Sequence, residues 1–393
     1  DFDWSADTLR ARMRDSDYPW VAANIFDSTT GKRPDWVMPW RMVRAGKYQV
    51  AVVGFITSET KQIVAPQNIA RLTFGAGYQP IRDAVAEARS AGPDLLVLLA
   101  HAGGRCDSIS CAGEIFDLAD SLPAGSVDLI VSGHSHTLLD TERNGIPIVQ
   151  ARSSGTAVGV VDVIKTAEGG RKIDVDVRTV WVDQVTPDSA LSALVARAVR
   201  TTDSLANRVI TDIALPLPRT GNQYPLGNLI ADAFRNVLRT DVALVNNGGV
   251  RADVAAGRLT YGQLFTVMPF QNQAVTVTLT GKQLREVAEA SITAGGPDAH
   301  VSGMRITYDL SRPAGQRVRE IRLANGKKPK DTGRYTLAVN SFLAAGQSGY
   351  TMLRAAPQVP DGMSDIEVME LYLRRLPRPV QPPEDARFVP VGK

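Results

Sequence analysis

Short, mainly apolar runs alternate with amphipathic stretches through the first half of the chain. Residues 95–100 and 127–131 are runs closed by glycine-containing turns, which is typical of buried parallel strands. Residues 80–92 instead repeat apolar side chains at helical spacing. The alternation predicts a layered α/β domain, with further strands at 20–26, 48–57, 146–151, 158–164 and 175–182 and helices at 6–13 and 114–122.

A second set of elements follows residue 187. Thr186 and Pro187 suit the N-cap and the first turn of a helix at 187–205, which we interpret as a connector. A chain of 393 residues is also longer than one ordinary core requires. We therefore predict a domain at 1–186, a linker helix at 187–207 and a second domain at 208–393. Its predicted helices are 226–238, 260–268, 281–294 and 364–376, and its strands 241–245, 274–279, 304–308, 318–323 and 335–340.

Histidines are scarce and concentrated at the ends of two predicted strands. Of the four in the chain, His101 follows the strand at 95–100, while His134 and His136 follow the strand at 127–131. The carboxyl ends of parallel strands are where ligands collect, and neutral imidazole is a common ligand of zinc-class metals. The three together favour a metal site, with ordinary polar capping of strands as the alternative. Three histidines do not make an oxygen-rich two-metal centre, so other ligands have to come from elsewhere.

Composition narrows the class of protein. A net charge of +3, with no run of lysine or arginine, does not predict binding to a nucleic-acid polymer. No apolar segment is long enough for a membrane span. The two cysteines, Cys106 and Cys111, favour a small-loop disulfide in an oxidising compartment, with a metal half-site as the alternative.

Several motifs, taken in order, resemble a known family. They are DFDW at the start, AHAGG, SGHSH with NGIPIVQA, PLGNLIADAFR, NNGGVRADVAAGRLTYGQLFTVMPF and LAVNSFLAAGQSGY. This order resembles the secreted 5′-nucleotidase, UDP-sugar hydrolase and 2′,3′-cyclic phosphodiesterase group over essentially the whole chain. The resemblance implies an α/β (α+β) fold in which a calcineurin-like metallophosphoesterase β-sandwich domain is joined by a helix to a 5′-nucleotidase C-terminal α/β domain.

The resemblance also implies where the missing ligands are. Asp1 to Asp3 match the end of the family motif Gly-Asn-His-Glu/Asp-Phe-Asp, so we expect the sequence to lack the first half of the metal domain. His101, His134 and His136 match the remaining ligands of two divalent metal ions such as Zn²⁺ or Mn²⁺. Asp3 matches the aspartate that orients a catalytic histidine upstream, with a surface carboxylate as the alternative. We expect little hydrolysis by residues 1–393 alone, and export to the periplasm or cell surface.

The second domain is expected to hold the nucleotide. The family sandwiches the base between two aromatic rings, here Phe270 and Phe342, because stacking suits any base. The loop at 346–350 reads Gly-Gln-Ser-Gly-Tyr, so Ser348 replaces the family's ribose-binding aspartate, which weakens the preference for nucleoside monophosphates. Arg219 is one residue farther from LGNL than the family pattern, and a surface arginine is its alternative. The expected substrate-binding residues are Arg219, Asn246, Gly248, Arg251, Phe270, Phe342 and Ser348.

We therefore expect metal-dependent hydrolysis of phosphate esters, in the first place nucleoside 5′-phosphates, by attack of metal-activated hydroxide on phosphorus. One alternative is a nucleotide-binding protein with a vestigial metal domain. Another is a cyclic phosphodiesterase or thiosulfate-ester hydrolase of the same superfamily. The sequence does not determine the oligomeric state.

Overall fold

The structure, a computed structural model, describes residues 2–75, 77–166 and 171–391 and divides into unit 1 (Asp1–Pro187) and unit 2 (Asp188–Lys393). The helices described in unit 1 are α1 (Ala6–Arg14), α2 (Thr60–Ile63), α3 (Gln79–Ser90) and α4 (Glu114–Ser121), with a 3₁₀ turn at Pro66–Ile69. Its strands are β1 (Ile25–Asp27), β2 (Trp40–Ala45), β3 (Tyr48–Ile56), β4 (Leu72–Phe74), β5 (Leu95–His101), β6 (Arg105–Cys106), β7 (Cys111–Ala112), β8 (Leu129–Val131), β9 (Leu138–Arg143), β10 (Ile146–Ala151), β11 (Ala157–Lys165) and β12 (Arg171–Thr179).

The main sheet of unit 1 has the order β2-β3-β5-β8-β10-β9. Strands β3, β5, β8 and β10 are parallel, while β2 and β9 are antiparallel edge strands. Parallel neighbours end at the same edge of a sheet, so the loops after β5 and β8 lie side by side. Separate antiparallel pairs are formed by β1 with β4, β6 with β7, and β11 with β12.

Helix α3 packs against this sheet through one apolar face. Ile81, Ala84, Val85 and Ala88 are each at most 3% exposed and pack in one cluster with residues of β5 such as Leu96. Full burial of a valine or isoleucine side chain stabilises a fold by about 1.5–3 kcal/mol. The amphipathic spacing of residues 80–92 thus predicted both the helix and its buried face.

Two of the predicted elements differ in detail from the structure. Residues 20–24 do not form a regular strand, because their backbone groups bond to several different segments: Ala22 N donates to Met38 and Ala23 N to Gly54. The side chain of Asn24 adds two bonds to the backbone of Ile56, where its Nδ2 donates to the carbonyl at 2.7 Å and its Oδ1 accepts from N at 3.1 Å. The connecting helix begins at Ser189 rather than 187, since Asp188 is its N-cap and accepts from Leu191 N.

The helices described in unit 2 are α5 (Ser189–Ala206), α6 (Pro225–Leu238), α7 (Tyr261–Val267), α8 (Gly281–Ala290), α9 (Ser341–Ala344) and α10 (Asp365–Arg375), with 3₁₀ turns at Asn247–Gly249 and Thr351–Leu353. Its strands are β13 (Val209–Ile213), β14 (Val242–Asn246), β15 (Gly257–Thr260), β16 (Gln273–Thr280), β17 (Ile292–Thr293), β18 (Gly296–Pro297), β19 (Ala299–Ser302), β20 (Met304–Tyr308), β21 (Val318–Leu323), β22 (Arg334–Asn340), β23 (Gln358–Ser364) and β24 (Phe388–Pro390).

A five-stranded sheet, ordered β19-β14-β22-β16-β23, forms the centre of unit 2. Side chains of a strand alternate between its two faces. Ala243 and Val245 accordingly pack with α6 and α10, whereas Val242 and Leu244 pack with α8 on the opposite face. The sheet is therefore covered on both faces, and β14 is buried along its whole length.

Capping residues in the sequence correctly predicted where three helices of unit 2 begin. Thr260, Thr280 and Ser364 each form a capping box with the residue three positions later. Strand β23 was not predicted, because Pro360 and Gly362 interrupt its pattern; the structure places it at the sheet edge, where such residues are tolerated. Helix α8 ends at Ala290 rather than 294, since β17 and β18 form a hairpin immediately after it.

Candidate metal and substrate sites

The three strand-end histidines of unit 1 lie on adjacent loops. His101 is the last residue of β5, and His134 and His136 follow β8, its parallel neighbour. The imidazole rings of His101 and His134 have centroids 5.1 Å apart. The fold thus brings together at one sheet edge two residues that are distant in sequence.

The loop after β8 has an unusual backbone conformation. His134 and His136 have φ angles of 71° and 58°, in the left-handed region that residues with a Cβ seldom adopt. Such strain persists only where surrounding contacts impose it, and it often marks functional positions. The two side chains are therefore held by the loop around them.

Gln150, buried on β10, fastens this loop. Its Nε2 donates to the carbonyl of Thr137 at 2.8 Å and to the Oγ of Ser135 at 2.9 Å. The Oγ of Ser132 donates to the carbonyl of Ala102 at 2.7 Å, on the loop that carries His101. Gly103 is needed for this approach, because a Cβ there would lie 2.4 Å from the Oγ of Ser135. The two histidine-bearing loops are thereby joined by neutral hydrogen bonds.

The charge state of His101 suits a ligand. Its pKa is lowered to about 4, first because desolvation disfavours the charged ring and then because of repulsion from His134. The residue still exposes part of its surface to solvent. The imidazole is therefore neutral and accessible at pH 7, which is the form that binds metals.

Glu59 is a neighbour that sequence analysis missed. Its carboxylate lies 3.5 Å from Nε2 of His134. A carboxylate on one ring nitrogen fixes a histidine's tautomer and leaves the other nitrogen for a ligand. The segment around Glu59 offered no sequence signal, because a glutamate after a strand is usually a surface residue.

The donor chemistry of this edge fits a divalent metal only in part. Two imidazoles that share one ion, at metal–nitrogen distances of about 2 Å, would have ring centroids about 5 Å apart, as His101 and His134 do. Within residues 2–75, 77–166 and 171–391, however, no three His, Cys, Asp or Glu side chains converge closely enough to hold an ion. The expected two-ion centre is not assembled by these residues alone.

The structure locates the other expected features of unit 1. Asp3 has an exposed side chain, and its charge raises the pKa of His101 slightly among larger lowering effects, so it lies within electrostatic reach. Its backbone carbonyl accepts from Nδ2 of Asn68 at 2.7 Å. Asp1 lies outside the described residues. The predicted disulfide between Cys106 and Cys111 is present and closes the β6–β7 hairpin.

In unit 2, two asparagines meet at the ends of parallel strands. Asn246 ends β14 and Asn340 ends β22, its parallel neighbour. Nδ2 of Asn340 donates to Oδ1 of Asn246 at 3.3 Å, and both residues are buried. Asn340 also caps α9, the short helix that carries Phe342. Asn340 was not among the predicted site residues, although it is part of the LAVNSF motif.

The loop after β14 gathers the two predicted arginines. Nη1 of Arg219 donates to the carbonyl of Val250 at 3.0 Å, and its Nε lies 3.2 Å from the carboxylate of Asp253. The guanidinium of Arg251 lies over the ring of Phe270, 5.7 Å from its centroid, and Nη1 donates to the carbonyl of Gly248 at 3.4 Å. Four of the predicted substrate residues are thus placed together: Arg219, Gly248, Arg251 and Phe270.

The two predicted stacking rings lie at the same edge of the sheet. Phe270 precedes β16 and Phe342 follows β22, and these strands pair so that Ala274 is opposite Asn340. The backbone N–H of Gln273 donates to Oγ of Ser341 at 3.1 Å, which joins the two segments. Phe270 is 46% exposed, whereas Phe342 is half-buried against the core. Phe270 therefore offers an open ring face.

The glycine loop after α9 exposes Ser348. This serine has a φ of 51° between two glycines with φ of 83°, so the loop turns in the left-handed region. Gln347 beside it is 3% exposed. Ser348 is the residue of this loop that presents its side chain to solvent at the expected ribose position.

Two acids near this site have raised pKa values. Burial raises the pKa of Asp298, which precedes β19 and whose backbone carbonyl accepts from the N–H of Asn247 at 3.1 Å. Burial raises the pKa of Asp365 to about 6, partly offset by hydrogen bonds from Ile366 and Asn272. In addition, Oδ1 of Asn247 is buried without a hydrogen-bond partner, and an unsatisfied acceptor of this kind can receive a hydrogen bond from a ligand. Neither acid could have been selected from the sequence, since their shifts depend on burial.

Comparisons with known proteins agree with this architecture. Residues 185–355 match the family described as 5′-nucleotidase, C-terminal domain. The chain is 30% identical to Endonuclease YhcR of Bacillus subtilis over 94% of its own length but only 31% of that protein. It is 28% identical to a 5′-nucleotidase of Vibrio parahaemolyticus, covering 95% of this chain and 74% of the relative.

A solved structure extends the similarity to the whole fold. The 5′-nucleotidase precursor from Thermus thermophilus matches all of this chain and 82% of its own with a TM-score of 0.88 and 27% identity. The expected two-domain α/β fold is therefore confirmed. No helix in the described part of the chain is long and apolar enough to cross a membrane.

Proposed function

We propose that the chain is a member of the 5′-nucleotidase family and contributes to metal-dependent hydrolysis of nucleotide phosphate esters, a proposal supported by the family-model match and by the similar 5′-nucleotidases. The observation that carries the proposal is the pair of imidazoles, His101 and His134, held 5.1 Å apart at a sheet edge by a buried hydrogen-bond network. His101, His134 and His136 would supply imidazole ligands, with further ligands from outside the described residues. Divalent ions held by these residues and their partners would supply a hydroxide nucleophile and polarise the phosphoryl group.

The residues of unit 2 have roles that suit a nucleotide. The exposed ring of Phe270 can stack against a base, and the half-buried Phe342 offers a second ring at the same sheet edge. Arg219 and Arg251 can neutralise phosphate oxygens, since guanidinium groups match their geometry. The side-chain amide of Asn246 can donate or accept hydrogen bonds with the base or sugar, and the carbonyl of Gly248 can accept one. In unit 1, Asp3 would orient a catalytic imidazole by accepting a hydrogen bond from its ring N–H.

The specificity within this class is the finer part of the proposal. Ser348 offers one hydroxyl where a carboxylate would accept hydrogen bonds from both ribose hydroxyls. This difference favours phosphate esters other than nucleoside monophosphates as additional substrates. The disulfide between Cys106 and Cys111 supports function outside the reducing cytoplasm, in the periplasm or extracellularly.

The test is phosphate release from a panel of nucleoside 5′-phosphates, cyclic nucleotides and nucleotide sugars by the full-length gene product with Mn²⁺ or Zn²⁺. We expect turnover that EDTA abolishes and that His134→Asn reduces by about 100-fold or more. Phe270→Ala should mainly raise KM. Binding of nucleotides without turnover of any substrate would instead identify a binding protein with a vestigial metal domain and would refute the proposal.

A further inference from the structure

A cleft of 480 Å³ in unit 1 lies among α1, the turn that follows it and the start of β2. None of the residues assigned above to phosphate-ester chemistry lines it. Its volume is within the range of small-molecule sites, about 300–1,000 Å³. We call it the arginine–aromatic cleft, after Arg10, Arg14, Arg41, Tyr18, Trp20 and Trp36.

The aromatic side of the cleft is held in place. The rings of Tyr18 and Trp20 are stacked, with centroids 5.6 Å apart and planes 30° from parallel. Nε1 of Trp20 donates to Oγ of Ser16 at 2.7 Å, and that hydroxyl donates to the carbonyl of Met13 at the end of α1. Tyr18 remains 64% exposed. The cleft thus presents a fixed ring surface to solvent.

The cationic side is only partly neutralised. The guanidinium of Arg10 lies over the ring of Trp36, 5.9 Å from its centroid, and 3.7 Å from Asp7. The side chains of Arg14 and Arg41 make no ion pair or hydrogen bond with another described residue, although their backbones bond within α1 and the β2–β3 pair. Asp35 is the one acidic residue that lines the cleft. Positive charge therefore accumulates beside the rings.

Aromatic faces next to arginines recognise a planar ring that carries an anionic group. We propose that the arginine–aromatic cleft binds a nucleoside phosphate, its base stacked on the Tyr18–Trp20 or Trp36 rings and its phosphate on Arg14 and Arg41. This site would be additional to the one formed by residues of unit 2. Binding at this cleft requires no hydrolysis. A negative result for the cleft would therefore leave the proposed function unaffected, and failure of the proposed function would leave the cleft proposal unaffected.

The tryptophans of this chain allow a local test. All five, Trp4, Trp20, Trp36, Trp40 and Trp181, are in unit 1. Their indole N–H signals in the ¹⁵N-tryptophan-labelled chain can be assigned by single Trp→Phe substitutions. AMP, added with EDTA to prevent turnover, should shift the Trp20 and Trp36 signals with one common dissociation constant and leave Trp181 in place.

The double variant Arg14→Gln/Arg41→Gln should raise that dissociation constant about tenfold or more, because two charge-assisted contacts are lost. The matched control is Arg44→Gln/Arg105→Gln, which removes the same charge from exposed positions outside the cleft and should leave the constant within about twofold.

Four outcomes would overturn the proposal. The first is that AMP does not shift the Trp20 and Trp36 signals. The second is that the cleft variant and its control bind AMP equally. Alternatively, inorganic phosphate alone reproduces the shifts at the same concentration, so that the base is not recognised. Binding of a single-stranded (dA)₁₀ oligonucleotide without binding of AMP would likewise overturn it, and would identify a polymer site instead.

Discussion

Unit 1 and unit 2 support the ends of their parallel strands by different chemistry. Beneath the histidine loops of unit 1, Gln150 and the hydroxyls of Ser132, Ser135 and Thr137 form a network of neutral groups. Beside β14 in unit 2, the support is ionic: Arg387, 8% exposed, donates to the carboxylates of Asp232 and Asp385.

The ionic cluster reaches the sheet through backbone and side-chain contacts. Nη1 of Arg387 donates to the carbonyls of Asn228 on α6 and Val301 on β19. Oδ1 of Asn228 lies 3.1 Å from Nδ1 of His300, which is fully buried. His300 is opposite Val245, next to the candidate substrate residue Asn246. The stability that a neutral network contributes should not depend on pH, whereas the stability that an ionic network contributes should. This difference can be measured.

Breaking the ionic cluster should have the largest effect. Arg387→Met leaves two carboxylates and two carbonyls without their donor, and removing one partner of a buried ion pair costs about 3–5 kcal/mol. Unfolding of unit 2 in urea, followed by circular dichroism, should shift by that amount. Tryptophan fluorescence reports unit 1 only and serves as the internal control, because unit 2 contains no tryptophan. A loss below about 1 kcal/mol would contradict a supporting role.

Removing the centre of the neutral network should cost less. Gln150→Leu leaves the Ser135 and Thr137 acceptors partly unsatisfied, which should lower the free energy of unfolding of unit 1 by about 2 kcal/mol. The loss should be the same at pH 5.5 and pH 7. Gln67→Leu, at an exposed position, is the matched control and should change stability by less than about 0.5 kcal/mol. An effect that depends strongly on pH would show that charged groups share the network.

Lowering the pH should destabilise unit 2 through protonation of His300 in the unfolded chain. Its pKa is lowered to about 3, mainly by burial, so between about pH 3 and 6.5 the unfolded chain binds a proton that the folded chain does not. Stability therefore falls as pH falls through this window, by about 1.4 kcal/mol per unit well below pH 6.5. Asp365, with a pKa raised to about 6, acts in the opposite direction between about pH 4 and 6.

His300→Phe separates these two contributions. Relative to the unchanged chain, the variant should lose the His300 slope, so its stability should fall less as pH falls from 6 to 4. Parallel curves for the two proteins, measured by circular dichroism, would mean that His300 is protonated in the folded state.

Much of this architecture could be predicted from local patterns. The capping boxes at Thr260, Thr280 and Ser364 and the amphipathic face of α3 need only residues close in sequence. Clustering of scarce histidines at strand ends likewise indicated which residues would approach each other. The roles of the predicted site residues stay predictions, because their spacing says nothing about a bound ligand.

What escaped prediction depends on long-range contacts. Asn24 was predicted to be part of a strand, but its side chain bonds to the backbone of Ile56, which is distant in sequence. Gln150 and Arg387 support the candidate sites from other strands, and their burial cannot be inferred from neighbouring residues. The strand β23 was concealed by its own Pro360 and Gly362.

Those interruptions in β23 have a consequence for the protein in concentrated solution. The outer side of an edge strand exposes hydrogen-bonding groups that can recruit a further strand from another molecule. Pro360 removes one donor from that row, Gly362 turns with a φ of 89°, and Asp361 between them adds a negative charge. The same residues that concealed the strand from its sequence pattern thus protect this border of the sheet against intermolecular β-pairing and aggregation.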